Sequence, residues 1–313
     1  MKILITGGAG YIGSVTAAKL HEAGHAVIAL DNAEREPVLP DGVRFIRGSL
    51  ANIATLVGPD EHVEAVIHMG GLIQAGESMH EPEKYWQTNV ADSLQLLAGM
   101  RTLGITKLVF SSTAACYGNP VHTPILETDP TAPTNTYGDT KLAIDHAITS
   151  YARAYGLAAI SLRYFNVAGA YGRYGERHEP ETHIIPLALR AAAAGEPFTV
   201  YGDDYPTPDG TNVRDYIHVA DLAEAHVLAL GKLAAGRHEI INLGNGHGSS
   251  NREVIAAVNR ATGKELVVKL AARRPGDPAE LVASNAKAAQ VLGWRPTKTL
   301  DDMVADAWRF MRG

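Results

Sequence analysis

A chain of 313 residues, 46% hydrophobic and 20% charged, is long enough to bury a large core and to divide into two lobes. A net charge of −6 argues against a polyanion-binding surface, so no nucleic-acid partner is expected. The single cysteine, Cys116, excludes an intramolecular disulfide and fits a reducing compartment; no leader pattern precedes the first strand and no apolar run reaches membrane-span length, so a cytoplasmic protein with no membrane partner is expected.

Ile3, Leu4 and Ile5 lead into GGAGYIG, residues 7–13, and then into Tyr11, Ile12, Val15, Ala18 and Leu20 at helical spacing. That order of strand, glycine turn and helix is the opening of a dinucleotide-binding fold. Gly7 permits a tight turn, Gly10 lets backbone amides approach a pyrophosphate, and Gly13 lets the helix pack close to the sheet with its N-terminus toward the phosphates. The G-x-x-G-x-x-G spacing is the form usual in short-chain dehydrogenases/reductases. Asp31 ends the next apolar run, Val27 to Leu30, where a carboxylate accepts hydrogen bonds from ribose hydroxyls and repels a 2′-phosphate, which favours NAD over NADP.

Strands are expected at Lys2 to Thr6, Val27 to Asp31, Arg44 to Ile46, Ala65 to His68, Lys107 to Ser111 and Ala159 to Arg163, with helices starting near Tyr11, Glu83 and Thr136. This alternation predicts an α/β fold: a Rossmann-like, doubly wound parallel sheet with function at the carboxyl ends of its strands. After residue 170 the pattern changes: Tyr171 to Thr182 and Tyr201 to Asn212 read as loops, followed by shorter elements closing with a helix from Leu300 to Arg312. The expected organisation is an NAD-binding domain at 1–170 and a smaller α/β lobe at 171–313, some of whose segments return to the first domain.

Tyr137 and Lys141 lie four residues apart in a helical stretch after Pro133 and so share one face. A nearby ammonium favours a phenolate, moving tyrosine toward use as a base. Alone the pair reads as a surface tyrosine beside a solvated lysine; the hydroxyls of Ser111, Ser112 and Thr113 at a strand's carboxyl end supply the context of a Ser/Thr-Tyr-Lys constellation. There Thr113 shares a hydrogen bond with the substrate oxygen, Tyr137 takes its proton, and Lys141 holds the nicotinamide ribose and the charge state of the phenol.

With these, the segments HMGGLIQAGES (68–78), SSTAACYG (111–118), YGDTK (137–141), RYFNVAGA (163–170), PETHIIPLAL (180–189), YGDDYPTPDGTNVRDYIHVADLA (201–223) and RRPGDPAELVAS (273–284) resemble the UDP-glucose 4-epimerases of the extended short-chain dehydrogenase/reductase family, nearly end to end and in order. The resemblance implies a redox-neutral epimerisation at C4 of a UDP-hexose. It implies NAD contacts from Gly7, Gly10, Tyr11, Ile12, Gly13, Asp31, Asn32, Ser49, Leu50, Met69, Gly70, Asn89, Tyr137, Lys141 and Phe165. By position Thr113 and Asn166 meet the substrate, Arg214 and Arg274 hold the UDP phosphates with Asn166, Asp277 takes the uridine ribose, Tyr201 lies near uracil and His183 lines the UDP pocket. It also suggests a homodimer through helices near Asp92 to Gly104 and Tyr137 to Tyr155.

Departures from the family pattern bear on the cofactor. Ser49 stands where many members carry an aspartate and Ile73 where some carry a lysine, so looser NAD retention is expected. No metal site is expected: in HEAGH, residues 21–25, Gly24 should turn His25 off the helix face, and His178 and His183 have a poor ligand spacing. Cys116 reads as a small buried residue. Rival readings are a nucleotide-sugar 4,6-dehydratase, disfavoured because Ala114 and Ala115 replace the Asp-Glu pair it needs, a net dehydrogenase, and a non-catalytic NAD-sensing protein. Leu281, on the expected pocket wall, leaves acceptance of N-acetylated sugars open.

Overall fold

The computed structural model describes residues 1–34, 36–274 and 277–313; Arg35, Pro275 and Gly276 lie outside the described residues, the last two within the 273–284 segment of the resemblance. The first half runs β1 (Lys2–Thr6), α1 (Tyr11–Glu22), β2 (Ala26–Asp31), β3 (Arg44–Arg47), α2 (Ile53–Leu56), β4 (Ala65–His68), α3 (Ala75–Ser78), α4 (Pro82–Tyr85), α5 (Asp92–Thr102), β5 (Lys107–Thr113), α6 (Thr136–Tyr155) and β6 (Ala158–Tyr164). The second half holds β7 (Asn166–Ala168), β8 (Ala170–Tyr171), β9 (Tyr174–Gly175), α7 (Ile184–Ala194), β10 (Phe198–Tyr201), β11 (Val213–His218), α8 (Val219–Leu230) and β12 (His238–Leu243). It closes with β13 (Gly248–Ser250), α9 (Asn251–Thr262), β14 (Val268–Ala271), β15 (Glu280–Leu281), α10 (Ala286–Leu292) and α11 (Leu300–Arg312).

Seven strands form one parallel sheet in the order β12-β6-β5-β4-β1-β2-β3. Its central strands are apolar on both faces because helices cover both. In β1 the two-residue period is visible: Ile3 and Ile5 pack with Leu20, Leu222 and Ala225 of α1 and α8, while Leu4 packs on the other face with Ile53, Leu96 and Ile148 of α2, α5 and α6. The chain leaves β1 for β2 on one side and reaches β4 on the other, so the strand order reverses between β1 and β4, which opens a crevice at their carboxyl ends.

Beyond residue 171, α8, β12 and α10 return to the large sheet; β12 pairs with β6 along its length. The remaining elements build a second core from α7, α9 and α11, centred on Leu189, Val254, Val258 and Met303. The strand β11, not anticipated from the sequence, links the two parts through parallel pairing of Tyr216 with Asn166 in β7. The helix expected from Glu83 is interrupted by a π-helical stretch, Trp86–Ala91, and the polar 171–182 segment contains the short β8–β9 hairpin. Among the described residues no helix is long and apolar enough to cross a membrane.

Candidate functional site

A cleft of about 860 Å³ opens along the carboxyl ends of β1, β2, β4, β5 and β6. At its floor Gly7 has φ +71° and lies so close to the loop after β4 that an added Cβ would stand 2.6 Å from the amide nitrogen of Gly70. Only glycine meets both demands. The amide of Gly7 donates to the carbonyl of Leu30 at 2.9 Å, and Gly10 caps α1 without a side chain, which leaves the helix N-terminus open toward the cleft. Gly13 sits against the Gly7 carbonyl, where any Cβ would collide with backbone.

Asp31, half-buried at the end of β2, accepts hydrogen bonds from the amides of Ala9 (3.0 Å, Oδ2) and Ala33 (2.9 Å, Oδ1). Each carboxylate oxygen keeps a lone pair for a ribose hydroxyl. These residues fit a dinucleotide: amides and a helix terminus for the diphosphate, and a carboxylate acceptor at ribose distance. Tyr11, Ile12, Asn32, Ser49, Leu50, Met69, Gly70 and Phe165 line the same cleft. Ser49 instead spends its hydroxyl capping the next turn, accepting from the Ala51 amide at 3.2 Å. Asn89 stands behind the wall, buried, where it takes the Leu72 amide (2.8 Å) and donates to the Leu72 carbonyl (3.0 Å) and to Thr140 (3.1 Å). It pins the loop after β4 to α6 rather than facing the cleft.

Thr113, Tyr137 and Lys141 converge on this cleft. Asn135 caps α6 through the Gly138 amide (2.9 Å), and the Tyr137 amide donates to Ser78 Oγ at 3.0 Å, so the first turn of the helix is held from both sides. Burial pushes the Tyr137 phenol up to about 12, an effect the neighbouring Thr113 hydroxyl opposes. Lys141 is 4% exposed, donates from Nζ to the Ser111 carbonyl at 3.0 Å, and stands 5.0 Å from the centre of the Phe110 ring. Burial lowers its ammonium from 10.5 to about 8, within reach of neutral pH. Beneath the helix, Asp145 and Arg163 form a pair buried to 2% exposure on both sides, with Ser112 donating to the same carboxylate oxygen at 3.1 Å. Cys116 lies in this layer, fully buried, its thiol pushed up to about 12 by burial, which disfavours the thiolate.

The nucleotide-end residues fall in two places. Asn166 and His183 line the cleft, Asn166 donating to the Asp215 carbonyl at 3.0 Å. Tyr201, Arg214, Arg274 and Asp277 gather beside it around β10, β11 and β14. Arg214 is paired with Asp277, Asn212 donates to the other Asp277 oxygen at 2.9 Å, and the Arg274 guanidinium stacks 4.2 Å from the centre of the Tyr201 ring. Leu281 packs with Phe165 and Tyr117, at the boundary between the two groups.

A family model described as "NAD dependent epimerase/dehydratase family" matches residues 3–244. The chain belongs to that family. It is 53% identical to a UDP-glucose 4-epimerase of Corynebacterium glutamicum over 99% of this chain and 95% of the relative, and 49% identical to one of Streptomyces lividans over the same shares. A solved structure titled as UDP-glucose 4-epimerase from Bifidobacterium longum in complex with NAD+ and UDP superposes with a TM-score of 0.93 at 36% identity, covering 100% of this chain and 98% of that one.

Several residues in and behind the cleft of this family member escape sequence reasoning. Arg173 donates to the Leu39 carbonyl at 2.6 Å and joins Glu36, Pro37 and Val38 on the cleft wall, a contact across 134 residues that no local pattern announces. Asp215, fully buried between Arg214 and Tyr216, accepts from the amides of Asn245 (2.6 Å), Gly246 (3.1 Å) and Ala283 (3.1 Å), and burial pushes its carboxyl up to about 6. Near the cleft edge, Glu176, Glu181 and His183 stand together with their ligand-bearing atoms within 4.8 Å of one another.

Proposed function

We propose that this chain interconverts UDP-glucose and UDP-galactose by transient oxidation at C4 of the hexose. The observation that carries the reading is that Thr113, Tyr137 and Lys141 line one cleft with the glycine turn and Asp31. Bound NAD supplies the chemistry of hydride acceptance from C4 and return to the opposite face of the sugar. Gly7, Gly10, Tyr11, Ile12 and Gly13 hold its diphosphate side, Asp31 and Asn32 its ribose, Ser49, Leu50, Met69 and Gly70 its flanks, and Tyr137, Lys141 and Phe165 its nicotinamide end, while Asn89 fixes the wall behind them.

Tyr137 accepts the proton of the 4-hydroxyl and gives it back after the sugar has turned. Thr113 orients that hydroxyl and steadies the phenolate. The buried Lys141 ammonium lowers the cost of the phenolate, an effect strengthened by the low local dielectric. Asn166, Arg214 and Arg274 grip the UDP phosphates, His183 lines the pocket that receives them, and Asp277 and Tyr201 take the uridine, Arg214 exchanging its Asp277 partner for phosphate oxygens in a fork geometry that suits both. A grip confined to the nucleotide leaves the hexose free to rotate. Ala114 and Ala115 after Thr113 supply no acid and base for dehydration.

The working units are an NAD-binding domain, residues 1–170, and a nucleotide-sugar lobe, residues 171–313, with α8, β12 and α10 lent back to the first. The protein works in the cytoplasm as a homodimer through α5 and α6, where Leu94 and Tyr155 are exposed; light scattering after gel filtration tests this. The test of the function is incubation of purified protein with UDP-galactose and, separately, UDP-N-acetylgalactosamine without added NAD, with the products resolved chromatographically. Conversion of UDP-galactose to UDP-glucose is expected, and Tyr137→Phe should lower kcat by about a hundredfold or more. No interconversion of either sugar, even with NAD supplied, would refute the proposal.

A further inference from the structure

Glu176 follows β9, and Glu181 and His183 precede α7, so the three meet where the segment between those elements crosses the edge of the cleft. Glu176 and His183 line both the large cleft and a small cavity of about 60 Å³ behind it. The carboxylate of Glu181 is used asymmetrically. Its Oε1 accepts from the amides of Thr182 and His183 and from His183 Nδ1, each at 2.7 Å. Its Oε2 is buried without a hydrogen-bond partner, on a side chain only 1% exposed.

A buried carboxylate oxygen left without a donor is costly, and a second carboxylate within 4.8 Å makes the arrangement worse. Among the described residues no lysine or arginine pairs with Glu176 or Glu181; His183 pairs with Glu181, and the ring of His178, whose amide donates to Glu176 at 2.8 Å, lies 6.5 Å from that of His183. Two carboxylate oxygens and an imidazole nitrogen are a common ligand set for a first-row divalent ion, whose ligand atoms at about 2 Å from the centre lie about 3 Å apart. The imidazole favours zinc-like ions over magnesium or calcium, which take oxygen donors.

We propose that Glu176, Glu181 and His183 form a site for one divalent transition-metal ion, with zinc as its representative. Three protein ligands leave a fourth position open toward the cleft. Binding releases the proton held between His183 and Glu181 and brings the formal charge of the group, two carboxylates and a protonated imidazole, from −1 to zero. The edge of a cleft that must receive anionic diphosphates thereby ceases to repel them, and the segment 176–183 is cross-linked to the start of α7.

The test does not depend on the reaction. Purified full-length protein is stripped with a chelator, titrated with zinc in a calorimeter, and passed through gel filtration before its metal content is measured by mass spectrometry. One zinc per chain is expected, with a rise in Tm, and Glu181→Gln and Glu176→Gln should each weaken binding tenfold or more while the far-ultraviolet spectrum is unchanged. Should Glu181→Gln fail to fold, the half-buried Glu176→Gln gives the same reading, and cobalt bound to the wild-type chain should show visible absorption bands of nitrogen and oxygen ligation. Absence of stoichiometric binding by the wild-type chain, binding equal in both variants, or cobalt without those bands overturns the site.

Discussion

Lys141→Met isolates the energetic cost of the site's buried ammonium. Lowering the ammonium from 10.5 to about 8 means that holding it charged in the fold costs about 3 kcal/mol at neutral pH. Methionine fills the same volume without charge, but leaves the Ser111 carbonyl without the Nζ donor at 3.0 Å, a loss of about 1 kcal/mol. The variant should therefore be more stable than wild type by about 2 kcal/mol at pH 7 while its kcat collapses. The pH dependence is specific. Below pH 8 the lysine is charged in the folded and unfolded chains alike and the full cost is present. Between pH 8 and 10.5 the folded chain has released the proton that the unfolded chain keeps, so wild-type stability gains as pH rises and the advantage of the variant closes. Urea unfolding of both proteins, stripped of NAD so that ligand linkage does not intrude, reads this directly. A variant less stable than wild type at pH 7, or a difference that does not shrink by pH 10.5, would refute the assignment of that cost to burial.

The remaining predictions concern neighbouring groups. Thr113→Val removes the hydroxyl that opposes the upward shift of Tyr137, so the acidic limb of the kcat profile should move to higher pH, whereas Thr113→Ser should leave it in place. Ser49→Asp keeps the cap on the Ala51 amide and adds a carboxylate at the cleft, and should slow NAD loss during dialysis; an unchanged rate removes Ser49 as a determinant of NAD retention. Asp145→Ala leaves the Arg163 guanidinium buried and unpaired and should cost about 3–5 kcal/mol in urea unfolding, with Asp145→Ala/Arg163→Met recovering part of it.

Much of this protein was legible in local pattern. The first strand, the glycine turn and Asp31 depend on neighbours within a few residues, and the i, i+4 spacing of Tyr137 and Lys141 needs only a helix to put them on one face. The sheet followed from alternating strands and helices, because right-handed crossovers leave few other arrangements. What local pattern could not carry was anything decided by long-range pairing. Strand β11 is half polar in sequence and owes its place to β7, β13 and β15, and the π-helical stretch at Trp86–Ala91 has no signature of its own.

By itself the sequence determined the cofactor class and that Tyr137 and Lys141 share one helix face, since both rest on short motifs whose geometry the backbone dictates. Only the tertiary structure decided that Asn89 supports the cleft wall from behind, that Arg214 and Asp277 neutralise each other, and that Glu176, Glu181 and His183 converge with one buried carboxylate oxygen unpaired. The reason is physical: charge pairing and desolvation are set by which groups packing brings within a few ångströms, and spacing along the chain does not encode that distance.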